Sequence, residues 1–263
     1  MRLLTMRLSA GLSAPAAMFS LAAALASWSA GSACAAEITI FLNQATALTV
    51  RTMAAGFEQA SGHKVNVSSV AGQALRDNIA NGPGDLASLS PAELDNYVKD
   101  GKVVAGTVVE YGRVGNGVAV KSGAPKPDIS TPEAFKRAML EAVSIGHTMA
   151  GTGPFNTRLF QKLGIYDQIK DKIKIIPGGT LVAAAVARGD IEIGIQQTNV
   201  IQPYPGTEYL GPLPAELMEY GRAGVGLLAV SREREAATAF IKFMTDPANT
   251  ALLRNGFMEP PER

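Results

Sequence analysis

Apolar and polar positions change period repeatedly from residue 37 onward. Glu37–Leu42 (EITIFL) alternates with the two-residue period of a half-buried strand. Residues 47–60 carry apolar side chains at helical spacing and stop at Gly62, which predicts a helix ending on a glycine. Residues 64–69 (KVNVSS) read as a second strand, 73–80 as a short helix and 85–89 as a third strand. Ser90-Pro91-Ala92-Glu93 is a helix start: Ser as N-cap, Pro in the first turn, and Glu three positions after the cap to close a capping box.

A second block opens near Arg113. The run VGNGVAV (114–120) reads as one strand, Ser130-Thr131-Pro132-Glu133 starts another capped helix to about residue 142, and 143–147 reads as a short strand. Gly153-Pro154-Phe155 opens a helix that ends at Gly164; IYDQIKDKI and TLVAAAVARG read as helical, and 191–195 (IEIGI) as a buried strand. GVGLLAV (224–230) returns to strand, 233–244 is a helix, and Thr245-Asp246-Pro247 caps a last one. Strands alternating with helices predict an α/β fold with mostly parallel sheets. No internal repeat is visible in the sequence. The expected organisation is two lobes, one from residues 37–112 plus 220–263 and one from 113–219, with glycines clustered at the two crossings.

Residues 1–36 change the picture. They hold Arg2 and Arg7, no acidic residue, a short apolar run and a small-residue end at Ala33-Cys34-Ala35. That is the pattern of a cleaved signal peptide rather than a membrane span; a lipoprotein cleavage at Cys34 is disfavoured by Gly31 three positions earlier. The rest of the chain then has 22 basic and 23 acidic residues, no Cys and no Trp. An exported, cysteine-free chain of this kind points to the periplasm. The full chain's formal charge of +1 argues against a nucleic-acid partner. A single Cys excludes a disulfide framework, and neither His63 nor His147 has a partner at metal-ligand spacing, so no metal and no cofactor are expected.

Four loops share one design, in which a strand ends and small or polar residues follow, leading in the first three into a helix. They are Asn43-Gln44-Ala45-Thr46, Ser68 to Gln73 (with Ser69, Ala71 and Gly72), Gly151-Thr152-Gly153-Pro154, and Gln196-Gln197-Thr198-Asn199. In α/β sheets the carboxyl ends of the strands face the ligand cleft, and a following helix offers free N–H groups and a positive dipole end to an anion. Arg76, Arg113 and Arg158 are candidates for pairing with a carboxylate, each weighed against an ordinary solvated arginine. Asp85, after Gly82-Pro83-Gly84, reads as ordering a turn.

The order of segments resembles the periplasmic molybdate-binding family of ABC-transporter solute-binding proteins, of the type II periplasmic-binding-protein fold. The resemblance runs from GFEQASGHKVNVSSVAGQALRDNIANGPGDLASLS through SGAPKPDISTPEAFKRAML and GTGPFNTRLFQKLG to RGDIEIGIQQTNVI and AATAFIKFMTDPANTALLRNGF. It implies two hinged lobes closing on a small anion, an ABC-type membrane permease as partner, and a monomer. Ser69 matches a hydroxyl position of that family and Gly153 a backbone-donor position. The family's serine-rich first turn is replaced by Asn43 to Thr46, and its aliphatic–tyrosine pair by Gln196-Gln197. Carboxamides are longer than serine and carry donors and acceptors, which suits a larger, planar organic anion better than a tetrahedral oxyanion.

The same resemblance includes an enzyme class, the cofactor-free aconitate isomerases, which interconvert cis- and trans-aconitate by an allylic proton shift. Such an enzyme needs a group that takes and returns a proton. His147, at the end of the VSIGH strand, is the candidate catalyst, with Tyr204 and Glu192 as distant alternatives and a structural strand-end role as the competing reading. A solute-binding protein for a polycarboxylate or molybdate-like anion is the favoured expectation and the isomerase the runner-up.

Overall fold

The structure, a computed structural model, describes residues 35–70, 72–149, 152–177 and 181–262. The signal-peptide reading therefore lies, but for Ala35 and Ala36, outside the described residues, as do Ala71 and Gly151 of the candidate loops. Among the described residues no helix is long and apolar enough to cross a membrane.

Strand β1 (Glu37–Leu42) leads into α1 (Gln44–Ser61), then β2 (Lys64–Ser69), α2 (Gly72–Asn81), β3 (Leu86–Leu89), α3 (Pro91–Lys99) and β4 (Val109–Val114). There follow β5 (Asn116–Lys121), α4 (Pro132–Glu141), β6 (Ile145–Thr148), α5 (Thr152–Lys162), α6 (Tyr166–Ile169) and β7 (Ile173–Ile176). The chain continues through α7 (Val182–Arg188), β8 (Ile193–Gln197), α8 (Thr198–Ile201), β9 (Thr207–Pro212), β10 (Gly221–Leu227), α9 (Arg234–Thr245) and α10 (Thr250–Asn255).

Two five-stranded sheets result, ordered β2-β1-β3-β10-β4 and β7-β6-β8-β5-β9. In the first, β1 pairs parallel with β2 and β3, and β10 runs antiparallel between β3 and β4. In the second, β6 pairs parallel with β7 and β8, and β5 runs antiparallel between β8 and β9. Four of five strands in each sheet thus share a direction, and the two sheets repeat one topology that the sequence does not display as a repeat.

Local chemistry explains the boundaries. Asn43 caps α1 by accepting from the Ala45 N–H at 3.0 Å, and Gly62 ends it in the left-handed region at φ +78°. The capping box of α3 is complete: Ser90 accepts from the Glu93 N–H while the Glu93 carboxylate accepts from the Ser90 N–H. The first core packs Ile38, Ile40 and Leu42 of β1 against Val50, Met53 and Phe57 of α1 and Phe240 of α9. The second gathers Val118 and Val120 of β5, Ile193 and Ile195 of β8, Phe135 and Phe160.

Three sequence expectations need correction. The run 114–120 is not one strand: it breaks at Gly115, where a Cβ would lie 2.7 Å from the Met218 sulfur, and its two parts join different sheets. The IYDQIKDKI segment is a four-residue helix and a 3-10 turn that feed β7 rather than one helix. Strand β9 has no counterpart in the pattern. Both β7 and β9 are edge strands without a fully buried residue, so neither carries the buried apolar pattern of a central strand.

Candidate functional site

The carboxyl ends of β1 and β3 stop at Leu42 and Leu89, where Asn43 and Ser90 cap the long helices α1 and α3. Helix α5 opens at Thr152 after β6. Asn43, Thr46, Ser90 and Thr152 line one cavity of about 340 Å³. Three helix N-termini therefore meet there, each with uncompensated N–H groups and a positive dipole end. Asn116 and Gln197, paired residues of β5 and β8, line the same space. Across the two sheets, the Asn199 side-chain amide of α8 donates to the Ala45 carbonyl of α1.

Thr46 is the informative member of this set. It is 8% exposed, and its Oγ1 makes no hydrogen bond. That oxygen is itself buried and lies close enough to the Tyr111 phenol to interact with it. Behind it, the fully buried Tyr111 phenol meets Ser88 Oγ at 3.0 Å. Burial pushes that phenol up to about 12, against the smaller opposing effects of Ser88 and Thr46, and it stays neutral.

The charged groups balance. Arg158 of α5 and Arg222 of β10 line the cavity together with Glu93 and Glu219. Arg158 Nη2 lies 3.2 Å from Glu219 Oε2. Arg222 Nε donates to Glu110 Oε2 at 2.6 Å, across the β10–β4 pair. Arg113 is not in the cavity wall; it pairs with Glu259 at 2.9 Å and with Glu262, and stacks 4.1 Å above the ring of Tyr220, which is in the wall.

Of the sequence candidates, Asn43, Ala45, Thr46, Thr152, Arg158 and Gln197 line this cavity. Gln44 does not: it is exposed in the first turn of α1. Ser69 ends β2 directly beside Leu42, the last residue of β1, but does not line the cavity. Gly72 and Arg76 line an adjoining groove with Tyr97 of α3, which shares Asn43, Leu89 and Glu93 with the cavity, and Arg76 Nε donates to Gln73 Oε1 at 3.0 Å. Gly153 lies inside α5, where a Cβ would come within 1.9 Å of the Thr148 carbonyl oxygen; its glycine serves close packing. Gln196 points the opposite way from Gln197, as successive strand residues do, and its Oε1 accepts from the Ala183 N–H at 3.4 Å.

His147 is buried in β6. It is 3% exposed, is absent from the cavity wall, and places Nδ1 2.9 Å from the Thr148 carbonyl oxygen. Glu192 accepts from the Val143 N–H, and Tyr204 packs against Ala119, Ala183 and Ile201. Asp85 is buried and holds three groups together, as described below. Sequence reasoning missed Ser90, Asn116, Glu219, Tyr220 and Arg222. Ser90 carried a usable signal, since its capping box follows a strand just as the other loops do. Among the described residues no group of three or more His, Cys, Asp or Glu could hold a metal ion.

Comparisons with known proteins bear on this arrangement. A family model described as bacterial extracellular solute-binding protein matches residues 38–259. The aconitate isomerase of a Pseudomonas species is 28% identical over 219 residues, which cover 81% of this chain and 83% of that protein. The periplasmic molybdate-binding protein of Azotobacter vinelandii superposes with a TM-score of 0.69 at 18% identity, over 86% of this chain and 100% of that one. The sulfate-binding protein of Mycobacterium tuberculosis H37Rv gives 0.68 at 19% identity, over 86% and 88%. The structural likenesses establish the type II periplasmic-binding-protein fold, two mixed sheets flanked by helices. With a family match that spans most of its length, the chain belongs to the bacterial extracellular solute-binding proteins.

Proposed function

We propose that the chain captures a small organic polycarboxylate in the periplasm and presents it to an ABC-type transporter, the two sheets marking two lobes that close on the ligand. The observation that carries this reading is the convergence, on one cavity, of three helix N-termini and two guanidiniums. Two arginines favour paired carboxylates, since the guanidinium fork matches carboxylate geometry. Asn43, Asn116 and Gln197 add neutral donors and acceptors for the rest of the ligand. The volume of about 340 Å³ falls in the range of small-molecule sites, more space than one tetrahedral oxyanion fills.

A thermal-shift screen with citrate, tricarballylate, both aconitates, molybdate and sulfate tests this. A polycarboxylate at about 100 times its Kd stabilises by roughly 2.7 kcal/mol and is expected to raise Tm clearly. A shift with molybdate or sulfate alone would overturn the polycarboxylate reading. Thr46→Val is expected to weaken the binding polycarboxylate by roughly three- to tenfold, the worth of one neutral hydrogen bond. It should leave apo stability little changed, because the hydroxyl has no close hydrogen-bond partner and only a weak tie to the Tyr111 phenol. Titration calorimetry reads the first effect, and unchanged affinity would take Thr46 out of the ligand's reach.

A second reading is favoured by the aconitate isomerase relative: the same cavity turns over aconitate. The proton would leave the methylene carbon and return at the far end of the allylic system. With His147 outside the cavity wall and Glu219 paired to Arg158, Glu93 is the carboxylate suited to carry it. Glu93 lines the cavity, and its Oε2 is held by Ser90 Oγ at 2.6 Å. Following the ultraviolet absorbance of cis-aconitate with purified protein decides the matter. A change proportional to protein concentration establishes the isomerase; a thermal shift with aconitate and a flat trace leaves the binding protein.

A further inference from the structure

We infer that Glu219 is an internal competitor for Arg158, occupying in the ligand-free molecule the place that a ligand carboxylate takes on binding; this rests on the polycarboxylate reading above. Each cavity arginine is paired with a carboxylate of the chain itself, but the two pairs differ in kind. Glu110 is not part of the cavity wall, and its side chain is only 14% exposed. It sits on β4 beside β10, so it fixes Arg222 within one sheet. Glu219 is itself in the cavity wall, with 64% of its side chain exposed, and it reaches Arg158 from the segment that carries the chain from β9 back to β10.

An exposed pair of this kind is held weakly and exchanges readily. A ligand carboxylate arriving at Arg158 replaces one carboxylate by another, so the guanidinium is never left without a partner. The exchange has two consequences. Apparent affinity falls to its intrinsic value multiplied by the fraction of time that Arg158 is free of Glu219. It also cuts the tie between α5, which packs on the second sheet, and the crossing segment that enters the first, so capture of the ligand changes what holds the two sheets' elements together. Ligands that offer Arg158 no carboxylate gain nothing by the exchange and are selected against.

Titration calorimetry with citrate and trans-aconitate on the wild type and Glu219→Gln tests the inference. If Glu219 holds Arg158 roughly 70–90% of the time, the variant binds about three- to tenfold more tightly. Equal or weaker binding by the variant would overturn the competitor role while leaving the polycarboxylate reading in place. Binding by neither protein would overturn both. A crystal structure of the wild type with its bound polycarboxylate supplies the second readout. A ligand carboxylate on Arg158, with Glu219 withdrawn beyond ion-pair distance, is the expected result. An Arg158–Glu219 pair intact beside bound ligand would refute the exchange even if the affinities agreed. Both side chains are exposed, so the substitution leaves the fold unchanged.

Discussion

Replacing Arg222 with glutamine is expected to weaken polycarboxylate binding by roughly ten- to a hundredfold, the loss typical of a charge-assisted contact whose removal also unmasks a like charge. Two effects act together. The ligand loses a guanidinium in the cavity wall, and Glu110, now held by Arg222 Nε at 2.6 Å, loses its cation. A bare carboxylate on β4 then faces an incoming polyanion from one strand away. The loss should exceed that of Thr46→Val because both signs of charge change at once. It should also shrink as salt is raised, since the unmasked repulsion is screened. Calorimetry at two ionic strengths measures this, and a loss under about threefold at low salt would place Arg222 outside ligand contact.

What could be read from the chain beforehand follows from which features are local. Strand β1 and helix α3 are local: the first is an alternation, the second a capping box whose two residues, Ser90 and Glu93, lie three positions apart. Asn43, Thr46 and Thr152 were legible for the same reason, since a strand followed by small polar residues and a helix start is one contiguous signature. Strand order is not local. Nothing in KVNVSS says that β2 occupies an edge, one strand out from the end of β1 that leads into the cavity wall. The choice between Gln196 and Gln197 depends on which face of β8 looks into the cleft, a matter of sheet packing. Arg222, Glu219 and Tyr220 belong to a return crossing with no helix behind it, so no helix-start signature marked them. Asn116 sat between glycines read as a hinge, although its register opposite Gln197 brings it to the cavity.

The largest effect on stability is expected from Asp85→Ala. Asp85 precedes β3 and is 7% exposed. Its Oδ2 accepts from the Thr39 N–H of β1 at 2.9 Å. Its Oδ1 accepts from Ser231 Oγ at 2.7 Å and from the Glu233 N–H, at the start of α9, at 3.3 Å. One carboxylate thus holds partners that lie 46 to 148 residues from it in the chain. Alanine leaves the Thr39 and Glu233 N–H groups and the Ser231 hydroxyl to find water in a space with little room for it. The expected cost is about 3 kcal/mol, or a fall in Tm of roughly 6–12 °C for a domain of this size. Asparagine keeps an acceptor on one side but turns an NH₂ toward groups that are already donors, so Asp85→Asn should lie between alanine and wild type. Urea or thermal unfolding measures both, and a loss under about 1 kcal/mol for alanine would show that water replaces the carboxylate without penalty. Affinity supplies a control that separates this role from ligand binding. Asp85 and Ser90 stand at opposite ends of β3, roughly 16 Å apart at 3.3 Å per residue, so below its lowered Tm the alanine variant should bind polycarboxylate as the wild type does.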